Sequence, residues 1–118
     1  TQFELLGRYT NLRTTVVFDK GILQYQKDVI FEGVDVIIGT PKRVYELIKA
    51  QGIAFSNMKM IVIDEADSFK QVEYATLYGT TDAAPKSQLI ISANKWVEKF
   101  DSLSERIMKS PKIVKVFI

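Results

Sequence analysis

Three acidic side chains directly follow an apolar run in the middle of the chain. The run Met60 to Ile63 has four apolar residues, and Asp64, Glu65 and Asp67 come after it. Side chains at the carboxyl ends of strands in an open α/β sheet emerge into a crevice where ligands bind. An aspartate there can hold Mg²⁺, usually through water, and a neighbouring glutamate can polarise water as a general base. Acids also favour the first turn of a helix, so the pair alone leaves a structural explanation open.

A second polar cluster, Thr40 to Arg43, follows a predicted strand at residues 34–38. Thr40 is a good helix N-cap and Pro41 is favoured at the first helical position, so capping accounts for both residues. A helix N-terminus with a free hydroxyl and the basic side chains of Lys42 and Arg43 is also a suitable seat for a phosphate group. Both interpretations can hold together.

A third polar cluster, Ser92 to Asn94, follows a predicted strand at residues 88–92. Either Ser92 or Asn94 can cap a helix that begins after them. Their small polar groups can equally bond to Asp67, which would share a helical face with Asp64 if a helix begins at the acids. The sequence therefore predicts three polar clusters at the ends of three strands.

The elements that position these clusters are Val- and Ile-rich runs alternating with amphipathic segments, which is the βαβ pattern of a parallel sheet. The runs are continuously apolar, as in strands covered on both faces. We therefore predict an α/β fold of three layers, with a mainly parallel sheet flanked by helices. The predicted strands are residues 13–18, 34–38, 58–63, 88–92 and 112–117, and the predicted helices are residues 22–32, 41–50, 66–78 and 95–109.

Two finer expectations concern the second half of the chain. Trp96, Phe100, Leu103 and Ile107 recur at steps of four, three and four residues, which predicts one buried stripe on the last helix. The run from Gly79 to Asp82 combines a glycine with small polar residues, which predicts a loop.

Composition narrows the possible chemistry. The 118 residues suffice for one small domain and include no cysteine and no histidine. Disulfides, Cys/His zinc sites, thiol nucleophiles and Ser-His-Asp triads are therefore excluded. Apolar runs reach only about five residues, far below the roughly 20 that span a bilayer, so no membrane contact is expected. The composition is compatible with a reducing, intracellular setting, and the cytoplasm is the expected location.

The ordered trio of polar clusters resembles the DEAD-box ATP-dependent RNA helicases. Residues 34–43 resemble the strand leading into that family's TPGR motif, residues 61–67 resemble motif II, and residues 88–94 resemble the strand ending in the SAT of motif III. Residues 19–21 are a weaker match to a glycine-containing turn that contacts RNA. By this resemblance, residues 1–118 are expected to be a fragment of the N-terminal RecA-like domain, in its later portion and without the P-loop unit.

The resemblance implies roles for the residues around motif II. Asp64 would ligate Mg²⁺ through water, and Glu65 would activate water for the hydrolysis of ATP. Asp67, Ser92 and Asn94 would couple the nucleotide site to the engagement of RNA. The implied cofactors are therefore ATP and Mg²⁺.

The resemblance also implies partners. Thr40, Arg43 and Gly21 would contact the RNA sugar–phosphate backbone, which gives binding that is independent of sequence. A second RecA-like domain of the same parent chain is the other expected partner. Lys42 stands where the family usually has glycine, and Asn94 stands where threonine is usual.

The chain contains no GxxxxGK[ST] phosphate loop. The parent is therefore expected to be an enzyme, whereas these residues alone are expected neither to hydrolyse ATP nor to unwind RNA. One alternative is a non-catalytic, helicase-like module that binds RNA or protein. A more remote alternative is a response-regulator receiver domain, which needs an acidic pair after its first strand where only Asp19 is present.

Overall fold

Each Val- or Ile-rich run that the structure describes up to residue 63 is a strand followed by a helix or turn. The computed structural model describes residues 11–50, 55–98, 100, 102, 105, 106, 108 and 111–115. In chain order its elements are β1 (Thr14–Val17), α1 (Leu23–Glu32), β2 (Val36–Gly39), α2 (Pro41–Lys49), β3 (Met60–Ile63), α3 (Gln71–Ala83) and β4 (Gln88–Ile91). Single 3₁₀ turns at Phe55–Asn57 and Ala66–Ser68 precede β3 and α3. This alternation confirms the predicted α/β class.

The four strands among the described residues pair in parallel, as two separate pairs. β1 pairs with β2 along its full length, with Val17 opposite Gly39, and β3 pairs with β4 in the same way, with Ile63 opposite Ile91. The carboxyl ends of paired parallel strands meet at one edge. The residues after β1 therefore lie beside those after β2, and the residues after β3 lie beside those after β4.

The main core lies between the β3–β4 pair and α3. It contains buried apolar side chains against which Ile61, Leu89 and Ile91 also pack: Ile63, Ala66, Tyr74, Leu77 and Phe100. The alternate residues of the same strands, among them Met60, Val62 and Ile90, are 42 to 61% exposed. Within the described residues this pair of strands is thus covered on one face, whereas continuous apolar runs predict cover on both.

Gly79 lies inside α3, so the predicted loop at residues 79–82 is wrong. A Cβ on Gly79 would lie 2.9 Å from Cζ of Tyr45 and nearer still to Cε2. The glycine therefore lets α3 approach α2 closely, and the two helices pack against each other. The threonine hydroxyls do not end the helix because they bond within it: Thr80 Oγ1 donates to the Thr76 carbonyl at 2.9 Å, and Thr81 Oγ1 to that of Tyr78 at 3.1 Å.

The helix predicted at residues 66–78 is divided. The 3₁₀ turn ends at Ser68, and α3 begins only at Gln71. At this new start, the Lys70 amide donates to Glu73 Oε1 at 3.3 Å, so the Glu73 side chain caps the helix. The acids after β3 are therefore in a separate turn and do not form the first turn of a long helix.

Two predictions near the end of the chain are also corrected. Trp96 is 53% exposed, although Phe100 is buried as predicted, because residues 94–97 are not helical and do not extend the stripe. Leu103 and Ile107 lie outside the described residues. Of the strand predicted at residues 112–117, residues 112–115 are described and form no strand, since no described backbone pairs with them. No helix in the described part of the chain has the length and apolar character to span a membrane.

Candidate functional site

The turn after β3 is hydrogen-bonded to the segment after β4 through Ser92. The Ser92 amide donates to the Ile63 carbonyl at 2.9 Å, and the Ala66 amide donates to the Ser92 carbonyl at 2.9 Å. The Ser92 hydroxyl donates to Asp64 Oδ1. Ser92 thus extends the β3–β4 pairing past the strand ends and fixes the Asp64 carboxylate.

Asp67 makes the second connection between the two segments. Its Oδ1 accepts a hydrogen bond from the Asn94 backbone amide at 3.1 Å. The sequence predicted that Asp67 reaches this segment, but the donor is the Asn94 backbone, and the Ser92 hydroxyl bonds to Asp64 instead. A threonine at position 94 could make the same backbone bond, so the Asn94 difference leaves this connection intact.

Glu65 has a left-handed backbone, with φ 51° and ψ 45°. It is the only residue other than glycine with positive φ in the described part of the chain, and this conformation costs about 1 kcal/mol or more. Three hydrogen bonds hold it. The Glu65 carbonyl accepts from the amide and the hydroxyl of Ser68 at 2.9 and 2.7 Å, and the Glu65 amide donates to Asp64 Oδ1 at 3.0 Å.

The strained turn leaves two carboxylate groups open at the surface. Asp64 and Glu65 are both exposed. Among the described residues, no hydrogen bond reaches Oδ2 of Asp64 or the carboxylate of Glu65. Asp64 thus keeps one oxygen for a ligand while its other oxygen fixes the orientation of the group.

The donor set around Asp64 fits Mg²⁺ held mainly by water and phosphate. No group of three or more His, Cys, Asp or Glu side chains in the described part of the chain could hold a metal ion by itself. Mg²⁺ dehydrates reluctantly and is commonly bound by one or two carboxylates together with phosphate oxygens. A single oriented carboxylate at a strand end satisfies that requirement.

Tyr74 supports the turn from the core and was missed by sequence reasoning as a site residue. Its hydroxyl donates to the Ala66 carbonyl at 2.7 Å in a buried position, and its ring packs edge-to-face with Phe69. Burial, followed by the nearby Asp67 charge, raises the pKa of the Tyr74 phenol. The sequence predicts only an apolar helix position here, because hydroxyl bonding depends on how the turn folds back over α3.

Thr40 is at the N-cap position of α2, with Pro41 at the first helical position, as predicted. Its hydroxyl does not cap the helix. Instead, Thr40 Oγ1 donates to Asp19 Oδ1 at 2.9 Å. Arg43 is only 8% exposed, and its guanidinium donates to the Asp19 carbonyl and lies 3.4 Å from Glu46. Of the two basic side chains expected at this helix end, Lys42 alone is exposed.

Gly21 closes the turn after β1, and this turn meets the start of α2. The Gly21 amide donates to the Phe18 carbonyl at 3.0 Å. A Cβ on Gly21 would overlap the Gln26 side-chain amide, which itself donates to the Phe18 carbonyl at 3.2 Å. Gln26 is 7% exposed, so the turn packs against a buried side chain.

The structure therefore brings Thr40 and Arg43 to Asp19, which lies two residues before Gly21 in the same turn. We call Asp19, Gly21, Thr40 and Arg43 the turn cluster. Within the turn at residues 19–21, the sequence assigned an RNA contact to Gly21 alone and gave no role to Asp19. The available signal was a short acidic side chain in the turn after the first strand, at the sheet edge where parallel strands end.

Comparison with known proteins gives a consistent result. A family model described as DEAD/DEAH box helicase matches residues 1–94. The chain is 29% identical over 110 residues to human "Probable ATP-dependent RNA helicase DDX43". It is 31% identical over 119 residues to rice "DEAD-box ATP-dependent RNA helicase 7". These alignments cover 92 and 95% of this chain but 17% of each relative.

Solved structures share the fold. A hypothetical ATP-dependent RNA helicase from Sulfolobus tokodaii superposes with a TM-score of 0.83 at 16% identity, covering 94% of this chain and 34% of that one. A Saccharomyces cerevisiae Dbp5 variant bound to RNA and ADP BeF3 superposes with a TM-score of 0.80 at 17% identity, covering 97% of this chain and 29% of that one. The fold is thus that of RecA-like helicase domains, as predicted.

Proposed function

This chain belongs to the DEAD/DEAH box helicase family, and on that premise we propose that it supplies ATP-hydrolysis residues and RNA-backbone contacts to an ATP-dependent RNA helicase. In this proposal, residues 1–118 are part of the N-terminal RecA-like domain and work with a second RecA-like domain. The names of the human and rice relatives, both ATP-dependent RNA helicases, support the proposal. The main support for the proposal is the set of hydrogen bonds that joins the Asp64–Asp67 turn to Ser92 and Asn94.

In this arrangement, Asp64 and Glu65 have different tasks. Asp64 is oriented by the Ser92 hydroxyl and offers its second oxygen to Mg²⁺, mainly through water. When bound, the ion would neutralise phosphate charge. Glu65 has a carboxylate free of described hydrogen bonds, so it can accept a proton from an attacking water. In its left-handed conformation, Glu65 keeps its backbone amide bonded to Asp64 Oδ1 at 3.0 Å.

Asp67, Ser92 and Asn94 join the proposed nucleotide site to the segment after β4. Because each bond spans from the β3 turn to the segment after β4, a movement of either segment is transmitted to the Asp64 carboxylate. This is the physical basis on which we propose that these three residues couple ATP to RNA engagement.

The proposed RNA contacts are Gly21, Thr40 and Arg43. Backbone amides and hydroxyls near helix N-termini bind phosphates without reading sequence. Lys42 is exposed beside them and can add a phosphate contact. Arg43 is buried against the Asp19 carbonyl, so its proposed contribution is to hold the turn cluster in place as well as to present positive charge.

We propose further that the 118 residues alone do not hydrolyse ATP. The sequence lacks the GxxxxGK[ST] loop whose backbone amides and lysine cradle phosphates. Asp64 and Glu65 can orient a metal and a water, but binding the nucleotide itself requires such a cradle.

The test is RNA-stimulated ATPase activity of the full-length natural protein that carries this sequence. Glu65→Gln removes the base while keeping its size, and Asp64→Asn removes the metal-binding charge. Each is expected to lower kcat by about 100-fold or more. Glu32→Gln is the matched control, because Glu32 is an exposed glutamate at the end of α1. Activity that survives Glu65→Gln unchanged would overturn the assignment.

A second candidate is a non-catalytic RNA- or protein-binding module of the same fold. The observation that favours it is the exposed Lys42, which stands where the family usually has glycine and adds positive charge beside the turn cluster. In that case the full-length protein would bind RNA or a protein with no Mg-ATPase activity, and Glu65→Gln would have no kinetic effect to measure.

A further inference from the structure

Asp19 lies at the centre of the turn cluster although its charge repels phosphate. Its Oδ1 accepts from the Thr40 hydroxyl at 2.9 Å, and its backbone carbonyl accepts from the Arg43 guanidinium. Asp19 is exposed, so the carboxylate is on the surface that a phosphate would approach. The acid thus engages the two side chains to which the proposed function assigns RNA contacts.

We propose that Asp19 sets RNA affinity by competing with an RNA phosphate for the Thr40 hydroxyl. This inference rests on the proposed function. A threonine hydroxyl has one proton to donate, so it cannot serve Asp19 and a phosphate oxygen at the same time. Phosphate binding at Thr40 therefore requires the Thr40–Asp19 bond to break, and the chain carries its own competitor for the site.

Repulsion adds to this competition. Lys20 and Lys42 are exposed beside the turn cluster and attract phosphate, whereas the Asp19 carboxylate opposes it. A carboxylate and a phosphate about 5 Å apart repel enough, even in the dielectric of bulk water, to weaken binding roughly fourfold. Because the pair is exposed, the effect shrinks as salt rises.

The carboxylate can be removed without dismantling the turn. The bond to Arg43 uses the Asp19 backbone carbonyl, and the Gly21 amide and the Gln26 side chain both bond to the Phe18 carbonyl. None of these three bonds uses the Asp19 side chain. Asp19→Asn therefore changes the charge while the backbone of the turn keeps its partners.

The experiment titrates the full-length natural protein against a fluorescently labelled oligouridylate, followed by fluorescence anisotropy at low salt. Asp19→Asn is expected to lower the Kd roughly fourfold. Asp82→Asn removes the same charge from an exposed position at the end of α3 and is expected to change the Kd less than about twofold. Asp19→Ser, which also removes the charge and suits a turn, is a second variant expected to behave like Asp19→Asn.

A double-mutant cycle with Thr40→Val tests the competition itself. Asp19→Ala removes the acceptor, whereas asparagine would keep one, so in Asp19→Ala the hydroxyl is free for the phosphate. Thr40→Val is therefore expected to raise the Kd at least about threefold more in the Asp19→Ala background than in the wild type. Equal effects in the two backgrounds, or an unchanged or raised Kd in Asp19→Asn, would overturn the proposal and leave Asp19 as a structural residue. If neither the wild type nor Asp19→Asn binds the oligouridylate, the proposed RNA contact itself is refuted.

Discussion

The substitution Gly79→Ala has two opposing effects on the free energy of unfolding, a gain in helix propensity and a loss in packing. In a helix interior alanine is favoured over glycine by about 1 kcal/mol. Here a Cβ would lie 2.9 Å from Cζ and 3.0 Å from Cδ2 of Tyr45, and closer to Cε2, whereas ordinary contact begins at 3.4 Å. The ring must therefore withdraw by about 1 Å, and overpacking of this kind costs about 2 kcal/mol. The clash exceeds the propensity gain, so we expect Gly79→Ala to lower the free energy of unfolding by about 1 kcal/mol.

The sign of the effect should depend on the Tyr45 ring. In a Tyr45→Ala background the clash is absent, so Gly79→Ala should raise the free energy of unfolding by about 1 kcal/mol, which gives an interaction energy of about 2 kcal/mol. Tyr45→Phe keeps the ring carbons and is the matched control, in which Gly79→Ala should remain destabilising. Urea unfolding followed by far-ultraviolet circular dichroism measures all six chains. A stabilising Gly79→Ala in the wild type, or the same effect in all backgrounds, would refute the close α2–α3 approach.

Two of the three further predictions concern the turn after β3, and the third concerns the Arg13–Asp35 ion pair beside the starts of β1 and β2. Tyr74→Phe leaves the buried Ala66 carbonyl without its 2.7 Å bond and should cost about 1 to 2 kcal/mol in urea unfolding; an unchanged midpoint would contradict that role. Glu65→Asn suits the left-handed backbone better and should raise the free energy of unfolding by about 0.5 to 1 kcal/mol while abolishing ATPase activity in the full-length protein. Hydrogen bonds from Arg13, then its charge, lower the pKa of Asp35. A lowered carboxyl pKa stabilises the fold above the ordinary aspartate range, so the stability difference between wild type and Asp35→Asn should shrink as pH falls through the lowered pKa, and a pH-independent difference would exclude the ion pair as its source.

The sequence predicts the strands well because their apolar runs are short and interrupted by polar residues. The four described strands lie within one residue of the predicted runs at their carboxyl ends, which is the edge that matters for the sites. The Gly79 region was misjudged because a glycine was interpreted as a helix breaker. Glycine is required at position 79 because the Tyr45 ring of α2 packs there, and the sequence around Gly79 does not show that contact.

The sequence predicted that the candidate site residues lie at strand ends, but it did not predict the hydrogen bonds between them. The clusters at Asp64, Thr40 and Ser92 do lie at strand ends, since parallel strands place them there. Which hydroxyl meets which carboxylate depends on backbone turns, such as the left-handed Glu65, that residue types do not specify. The role of Asp19 was missed for the same reason, because its partner Thr40 is 21 residues away and reaches it only through strand pairing.

The receiver-domain alternative is superseded by the family match over residues 1–94. The remaining question is whether the strand-end acids perform hydrolysis. Within the described residues, Asp64 is oriented by the Ser92 hydroxyl, and the carboxylate of the neighbouring Glu65 has no hydrogen-bond partner. If these acids are catalytic, replacing Glu65 should slow the hydrolysis of ATP without weakening the binding of ATP.

The most direct measurement compares ATP binding and ATP hydrolysis in Glu65→Gln of the full-length natural protein. If Glu65 acts as the base, the variant should bind Mg-ATP with an affinity within about threefold of wild type and hydrolyse it about 100-fold more slowly or worse in the presence of RNA. A variant that hydrolyses ATP at the wild-type rate, or that loses binding and hydrolysis in equal proportion, would contradict the assignment of Glu65 as the residue that activates water.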